Sequence, residues 1–487
     1  VIFDGDLLAE RARLTPDKIA LVAVETGERL TYAQLNHRAE RAAAAVVEAG
    51  VVPGDRYGIL LHNSVDFIAL FFAAAKCGAI VVPLSTRATT HELKQIVDDC
   101  GMTVLFTSGD FDASALGCRV LGVDALSSAS SPTPDTRHAT PEHTYCLLYT
   151  SGTTGKPKGV MIPKRQLWWN GYNTAVNWGL REDDVSPIYT PLYHAGGVAV
   201  FLIPLFTVGG TIILHRGFDA AEIWRSIEKE KATVVLGVPT TWKMLMDAPE
   251  FATADLSHVR WFISGGAPLP HYIIEAYQKR GIEMKQGFGM TEAGVNCFTM
   301  TVEESGSKAG SIGKPMMFTE VRVVDENGSE MPAGEVGEMW IRGPHVALGY
   351  WNNAEATRDA FDDGGWLHTG DLARCDDEGF FYIAGRKKEM FISGGVNVYP
   401  AEIEATLVSH PNVSDAAVIA VADEKWGEVA VAFVVGNVDS AALDTYLAER
   451  ISKFKLPKRY IFVGALPRTP YGKVEKPKLR ELLDVSS

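Results

Sequence analysis

Cysteine is scarce: six occur in 487 residues (Cys77, Cys100, Cys118, Cys146, Cys297 and Cys375), and no two form a CxxC pair. That argues against a zinc cluster and against a disulfide framework in a chain this long. Buried or half-buried free thiols in a reducing cytosol are the expectation. Basic charge is short too, with 46 Lys and Arg against 60 Asp and Glu and a net charge of −14. A general nucleic-acid binder needs a basic face, so that class is excluded, although a local anion site is not. Long apolar runs are also missing. "VAVFLIPLFTV" (198–208) carries a proline and falls short of the roughly 18 residues that span a bilayer. The acidic, mixed start "VIFDGDLLAERARLTPD" shows no secretory signal. These absences predict a cytoplasmic protein with no transmembrane segment and no nucleic-acid partner.

What is present is an ordinary globular composition, 46% apolar and 22% charged, with length enough for two domains. Apolar spacing from Leu7 to Gly50 predicts helix, strand, helix. Alternation continues through "RYGILLHN", "VDFIALFFAAAKCG", "AIVVPLS", "ELKQIVDDCG" and "VLFTS". Strand, helix, strand at this pitch predicts mostly parallel sheets with helices on both faces. The segment 127–143 is linker-like, rich in Ser, Thr and Pro. A composition break near residue 385 precedes a second unit. Its pattern is helix ("AEIEATLVSH"), two strands ("AAVIAVA", "EVAVAFVVG"), helix ("AALDTYLAERI") and a short strand ("YIFVG"). That is a small α+β domain of about a hundred residues.

The stretch that carries chemistry is "YTSGTTGKPKGVM" (149–161). A strand delivers the chain into glycines that let backbone N–H groups converge, with hydroxyls and lysines alongside, as a phosphate cradle requires. A plain turn would account for Gly152 and Gly155. It would not account for Ser151, Thr153, Thr154, Lys156 and Lys158 together. Walker A spacing is absent, since only two residues separate Gly152 from Gly155 and Pro157 follows Lys156.

Further blocks follow in order: "PLYHAGG" (191–197), "SGGAPLP" (264–270), "QGFGMTE" (286–292), "GEMWIRGPHVALGYW" (337–351), "WLHTGD" (366–371), "GRKKEMFISGGVNVYPAEIE" (385–404) and "PRTPYGKVEKPKLRE" (467–481). The series closely resembles the signature of the adenylate-forming superfamily over nearly its full length, and within it the acyl- and aryl-CoA synthetases. The resemblance implies a large α/β N-terminal domain (1–385), a hinge (386–388) about Lys388, and a small mobile α+β lid (389–487). It implies that a carboxylic acid and ATP give acyl-AMP and pyrophosphate, and that CoA then takes the acyl group as a thioester. ATP, Mg²⁺ and CoA are the implied reactants; a homodimer is left open.

Residue by residue, the resemblance gives Thr150, Ser151, Gly152, Thr153, Thr154, Gly155, Lys156 and Lys158 to the ATP phosphates. Gly266, Ala267 and Pro268 border the adenine, with Gly287, Phe288 and Gly289; Phe288 stands where relatives commonly have Tyr, and either ring can stack on a base. Thr291 bonds the α-phosphate and Glu292 is a hard ligand for Mg²⁺. Asp371 grips the ribose hydroxyls with help from Arg386. His194 is a gate or carboxylate contact, and Lys473 a point cation for charge developing during adenylation. The acyl pocket draws on His194, Ala195, Gly196, Val198, Val238, Gly265 and Met290, and CoA on Gly394 and Gly395. Small residues at 195–198 predict an apolar, fairly roomy pocket for a fatty or aryl acid. No Trp gate stands near Val198, which speaks against a gated long-chain tunnel.

Two rivals remain. A non-catalytic nucleotide-binding module predicts damage to Glu292, Asp371, Arg386 or Lys473, and all four are intact. An acyl-AMP ligase would load a carrier protein instead of CoA, and ATP–pyrophosphate exchange with and without CoA separates it from a CoA ligase. Amino-acid-activating relatives hold the ammonium with an Asp in the region of "PLYHAGG", and residues 189–200 contain no acid.

Overall fold

A computed structural model describes residues 6–130, 140–151, 157–267, 269–468 and 474–485. The helix–strand alternation builds a six-stranded sheet in the order Arg119–Gly122, Val104–Thr107, Arg56–Leu60, Ile80–Pro83, Thr144–Ser151, Pro157–Pro163. Every neighbouring pair is parallel except the last, an antiparallel hairpin. Central strands such as Ile80–Pro83 and Val104–Thr107 are buried throughout. That is why they read as unbroken apolar runs instead of alternating ones. A second sheet runs Arg29–Thr31, Ile19–Ala23, Thr211–Leu214, Val185–Ile188, and a third, fully parallel, runs Val234–Gly237, Trp261–Ser264, Met284–Gln286. The two are tied where the Thr233 N–H donates to Val185 O at 2.8 Å.

Within residues 7–50 the expected order is found as Leu7–Leu14, Ile19–Ala23 and Tyr32–Glu48. The short antiparallel strand Arg29–Thr31 is an addition. At three residues it has no periodicity to read. A larger addition is a wholly antiparallel sheet of Glu320–Val324, Gly337–Arg342, Leu367–Cys375 and Phe381–Arg386. The run 198–208 is helical, and its Val198–Leu202 portion is wound as a π-helix.

Beyond residue 390 lie helix Pro400–Val408, strands Val413–Asp423 and Gly427–Gly436, helix Ser440–Ala448 and strand Arg459–Phe462. A hairpin, Phe391–Ser393 with Val396–Val398, and helix Lys476–Val485 complete this unit. It has its own core, in which Ile403, Leu407, Val418, Val434, Leu443 and Leu447 are buried. Among the described residues no helix is long and apolar enough to cross a membrane. All six cysteines are free; four are buried, and burial pushes the Cys77 and Cys100 thiols up to about 11, away from thiolate chemistry.

Candidate active site

The three-stranded parallel sheet ends its strands together, and the loops beyond their carboxyl ends are the usual place for a ligand in such sheets. Gly265 N–H donates to Gly237 O at 3.2 Å and Gly287 N–H to Ser264 O at 2.9 Å, so three loops leave side by side. Gly266 turns with φ +79°, and a Cβ there would lie 3.7 Å from Val238. Beyond Gly287, the Phe288 ring meets Phe298 edge-on at 5.8 Å. The next loop closes on itself: Val295 N–H donates to Met290 O and Cys297 N–H to Phe288 O, both at 3.1 Å. Closure is so tight that a Cβ on Gly289 would lie 1.5 Å from Val295 O, so only glycine fits. Val295 itself carries φ +77°, a costly conformation for a β-branched residue and one concentrated at functional sites.

That loop presents Thr291 and Glu292, both more than nine-tenths buried. The Tyr350 hydroxyl donates to Glu292 Oε1 at 2.9 Å. Burial and the adjacent carboxylate raise the phenol's pKa, so it remains a donor. Lys158 Nζ stands 5.1 Å from the centre of the Tyr350 ring. The segment around Tyr350 runs along the strand Pro157–Pro163, with Trp351 N–H donating to Gly159 O at 2.8 Å. The hairpin register sets Thr150 opposite Lys158 and Ser151 opposite Pro157. The glycine-rich stretch therefore bridges two antiparallel strands, unlike a strand-to-helix phosphate loop. Gly152, Thr153, Thr154, Gly155 and Lys156 lie outside the described residues, as do Pro268 and Lys473.

Asp371 and Arg386 face each other across neighbouring antiparallel strands, with Nε to Oδ1 at 2.7 Å and Asp371 almost fully buried. Gly370, at φ +68°, lies within the strand just before Asp371, beside an irregularity in its pairing, and its N–H donates to Glu338 Oε1 at 3.2 Å. His194 caps a short helix: its Nδ1 accepts from Gly196 N–H at 3.2 Å, which puts the ring proton of the neutral form on Nε2. Gly197 is forced, because a Cβ there would stand 2.2 Å from Pro191 O.

A narrow cavity lies between Ala195, Val198 and Ala199 on one side and Thr291, Gly294 and Val295 on the other. Phe71, Cys146, Leu148, Ile162 and Leu167 give it an apolar floor. It leaves about 10 Å³ in which the centre of a water-sized sphere can sit, room for about one water. The space beside the small residues at 195–198 is thus narrow, with Phe71 among the residues that line it. Ala195 and Val198 line the cavity; His194, Gly196, Val238, Gly265 and Met290 do not, and Met290 packs instead beside Cys297 and Phe298.

Lys388 is exposed in the turn Lys387–Glu389 between the antiparallel sheet and the small unit. Gly394 and Gly395, at φ +58° and +83°, form the two-residue turn of the small unit's hairpin, which demands positive φ at both positions. Of the lysines near position 473, Lys478 pairs with Glu475, and Lys476 sits between Glu389 and Glu404 at 2.7 and 3.0 Å. Burial opposes the Lys476 charge, but the two carboxylates outweigh it and raise its pKa.

Sequence reasoning missed the buried amides of helix Lys164–Trp178. Gln166 Nε2 donates to Thr291 O at 2.8 Å. Asn173 Nδ2 donates to Thr319 Oγ1, which meets His345 Nε2 at 2.8 Å, while His345 Nδ1 meets Ala293 O at 2.6 Å. Of the three carbonyls of the Thr291–Ala293 turn, the first is thus held directly from this helix and the third through Thr319 and His345, while Glu292 O accepts from Ala347 N–H at 2.8 Å. A signal was legible: Gln166, Asn170, Asn173 and Asn177 recur at spacings of four, three and four, placing four amides on one helical face.

Residues 8–351 match the model of the AMP-binding enzyme family, and residues 402–473 match that of the AMP-binding enzyme C-terminal domain. The chain is 38% identical over 486 residues to a feruloyl-CoA synthase of an Amycolatopsis species, covering 98% of each. It is 38% identical over 495 residues to a long-chain-fatty-acid–CoA ligase of Mycobacterium tuberculosis, again covering 98% of each. Its fold matches that of o-succinylbenzoate CoA synthetase from Bacillus subtilis, solved with its acyl-adenylate intermediate, at a TM-score of 0.90, 33% identity and 98% coverage of both chains.

Proposed function

The chain belongs to the AMP-binding enzyme family, and on that footing we propose that its acid is a compact monocarboxylate with an uncharged acyl or aryl tail. It is an ATP-dependent acyl- or aryl-CoA ligase, an AMP-forming acid–thiol ligase that uses ATP, Mg²⁺ and CoA. A carboxylate oxygen attacks the ATP α-phosphorus and pyrophosphate leaves. The CoA thiol then attacks the acyl carbonyl and AMP leaves.

We assign the ribose to Asp371 and Arg386, the adenine to the loops at Gly266–Ala267 and Gly287–Phe288, and the phosphates to Thr291, Lys158 and the stretch 150–156. Lys473 supplies the adenylation cation, Lys388 the pivot between units 1–385 and 389–487, and Gly394 and Gly395 the CoA face. A single buried carboxylate, Glu292, fits Mg²⁺, which binds through one or two carboxylates plus substrate phosphates and needs no all-protein cage. No such cage occurs among the described residues. When bound, the ion would neutralise phosphate charge, and Tyr350 would hold the Glu292 carboxylate in place through its Oε1. The free, mostly buried thiols support a cytoplasmic setting.

The observation that carries the substrate reading is the cavity beside Thr291, around which no described residue bears a charge. A second carboxylate there would be buried unpaired, at several kcal/mol. A pyrophosphate-release assay with CoA, run over aryl, hydroxycinnamic, short- and medium-chain acids and over malonate and o-succinylbenzoate, tests it. Uncharged-tail acids should exceed dicarboxylates by about a hundredfold or more in kcat/KM. Comparable rates with a dicarboxylate would refute the assignment.

A further inference from the structure

The π-helix Val198–Leu202 contributes Val198 and Ala199 to the cavity, with Ala195 just before it. Its C-terminal edge meets a missing donor. In a π-turn the carbonyl of residue i accepts from the N–H of i+5, and Ile203 N–H does bond Val198 O. The next such donor would be residue 204, and that residue is proline, which has no N–H. Pro204 therefore deprives Ala199 O of its i+5 donor and Val200 O of its i+4 donor.

Those two carbonyls receive side-chain amides from elsewhere. Asn170 Nδ2 donates to Ala199 O at 2.5 Å, and Asn296 Nδ2 donates to Val200 O at 3.2 Å. The amides are themselves fixed: Asn296 Nδ2 also reaches Thr174 Oγ1 at 2.9 Å, and Asn296 N–H points to Asn170 Oδ1 at 3.4 Å. Asn170 and Asn296 are 1% and 3% exposed, so neither can exchange this role with solvent. Asn296 follows strained Val295 on the loop that carries Thr291, and Asn170 lies one turn from Gln166, which holds Thr291 O.

We infer that Asn170 and Asn296 are positioning residues which lock the π-turn before Pro204 to the Thr291 loop and thereby set which acids fit. The inference rests on reading the cavity as the acyl pocket. Its physical content is a register. A π-turn inserts one residue into a helix, and removing the insertion rotates everything before it by about 100°. Ala195, Val198 and Ala199 would then present different atoms to the acid, while the ATP-holding groups would be unmoved.

The test is a cycle of four proteins: the parent, Pro204→Ala, Asn296→Leu and the double variant. Pro204→Ala restores a backbone donor for Val200 O and alters no residue that lines the cavity. Asn296→Leu should lower kcat/KM for the best acid about tenfold and reorder the acid panel, leaving the KM for ATP within about twofold. In the Pro204→Ala background the same replacement should cost about threefold or less, because its amide is no longer required. Pro204→Ala alone should also reorder the panel. Equal losses in both backgrounds, or an unchanged acid order in both single variants, overturn the inference. Should Asn296→Leu fail to fold, recovery of folded protein in the double variant supports it and an unfolded double variant overturns it. Urea unfolding of the four proteins reads the same coupling without any substrate. If the parent uses no acid on the panel, the substrate reading falls by itself, and a vanishing coupling in urea is what would remove the π-turn lock.

Discussion

The large unit and the small one hold their candidate residues in opposite ways. In the large unit Thr291, Glu292 and Asp371 are buried, and each is fixed by a partner distant in sequence: Gln166, Tyr350 and Arg386. In the small unit and its junction, Lys388, Gly394 and Gly395 stand exposed at turns. Groups that stabilise developing charge must be preorganised, because reorganising during reaction costs rate. Groups that have to arrive and depart gain nothing from being bonded in place. Under the proposed function, the contrast fits a fixed grip on the nucleotide and a lid that would deliver different surfaces to it in turn.

The sharpest way to break that contrast is to separate the half-reactions. Lys473→Ala should cut pyrophosphate release by two to three orders of magnitude, about the loss expected for a preorganised charge-stabilising group. With pre-made acyl-adenylate and CoA it should still form thioester near the parental rate. Gly395→Asn, chosen because Asn tolerates φ +83° better than other residues, should adenylate normally and lose mainly the CoA step. Rapid-quench measurement of both steps reads this directly, and loss of both together in a folded Lys473→Ala protein would end the two-face picture.

A smaller effect is expected at the pivot. Lys388→Pro fixes φ in the connecting turn and should slow thioester formation about tenfold while adenylation stays within about threefold. Parallel losses in both steps would move the pivot elsewhere. On the fixed side, Tyr350→Phe removes the donor to Glu292 and should raise the Mg²⁺ concentration for half-maximal adenylation about three- to tenfold. An unchanged Mg²⁺ titration would detach Glu292 from the metal.

The smallest effect concerns pH. Burial lowers the pKa of His345 below its usual 6.5. The unfolded chain therefore takes up that proton first, and the folded form loses stability as pH falls from about 7 through 6.5 toward the folded value. His345→Asn should flatten the dependence of melting temperature on pH between 7 and 5 by an amount worth about 1 kcal/mol. An identical slope in both proteins would show that the buried chain through Thr319 does not titrate with folding.

Much of this was legible before any coordinates. Helix Val65–Cys77, the parallel strands and the small unit's elements follow from apolar periodicity, and the nucleotide residues fall in short contiguous motifs. The antiparallel sheet carrying Asp371 and Arg386 did not show, since its strands are joined by connections of unequal length, one holding the helix Ala354–Ala360, and no local pattern in the sequence sets their pairing. The narrowness of the cavity beside Thr291 was equally hidden: small residues at 195–198 predict space, but its walls also come from Phe71 and Cys146, far away in sequence. Asn170 and Asn296 are separate in sequence and meaningful only once Pro204 has left two carbonyls for them to serve.

The clamp of Lys476 between Glu389 and Glu404 makes the final helix part of the joint and not a trailing appendage. One cation there neutralises a carboxylate from the connecting turn and another from the first helix of the small unit. Trimming the chain before residue 474 would leave two acids facing each other beside the pivot, and their repulsion would splay the turn from the body it swings. Through Lys476 the helix Lys476–Val485 is tied to the connecting turn and to the first helix of the small unit at once.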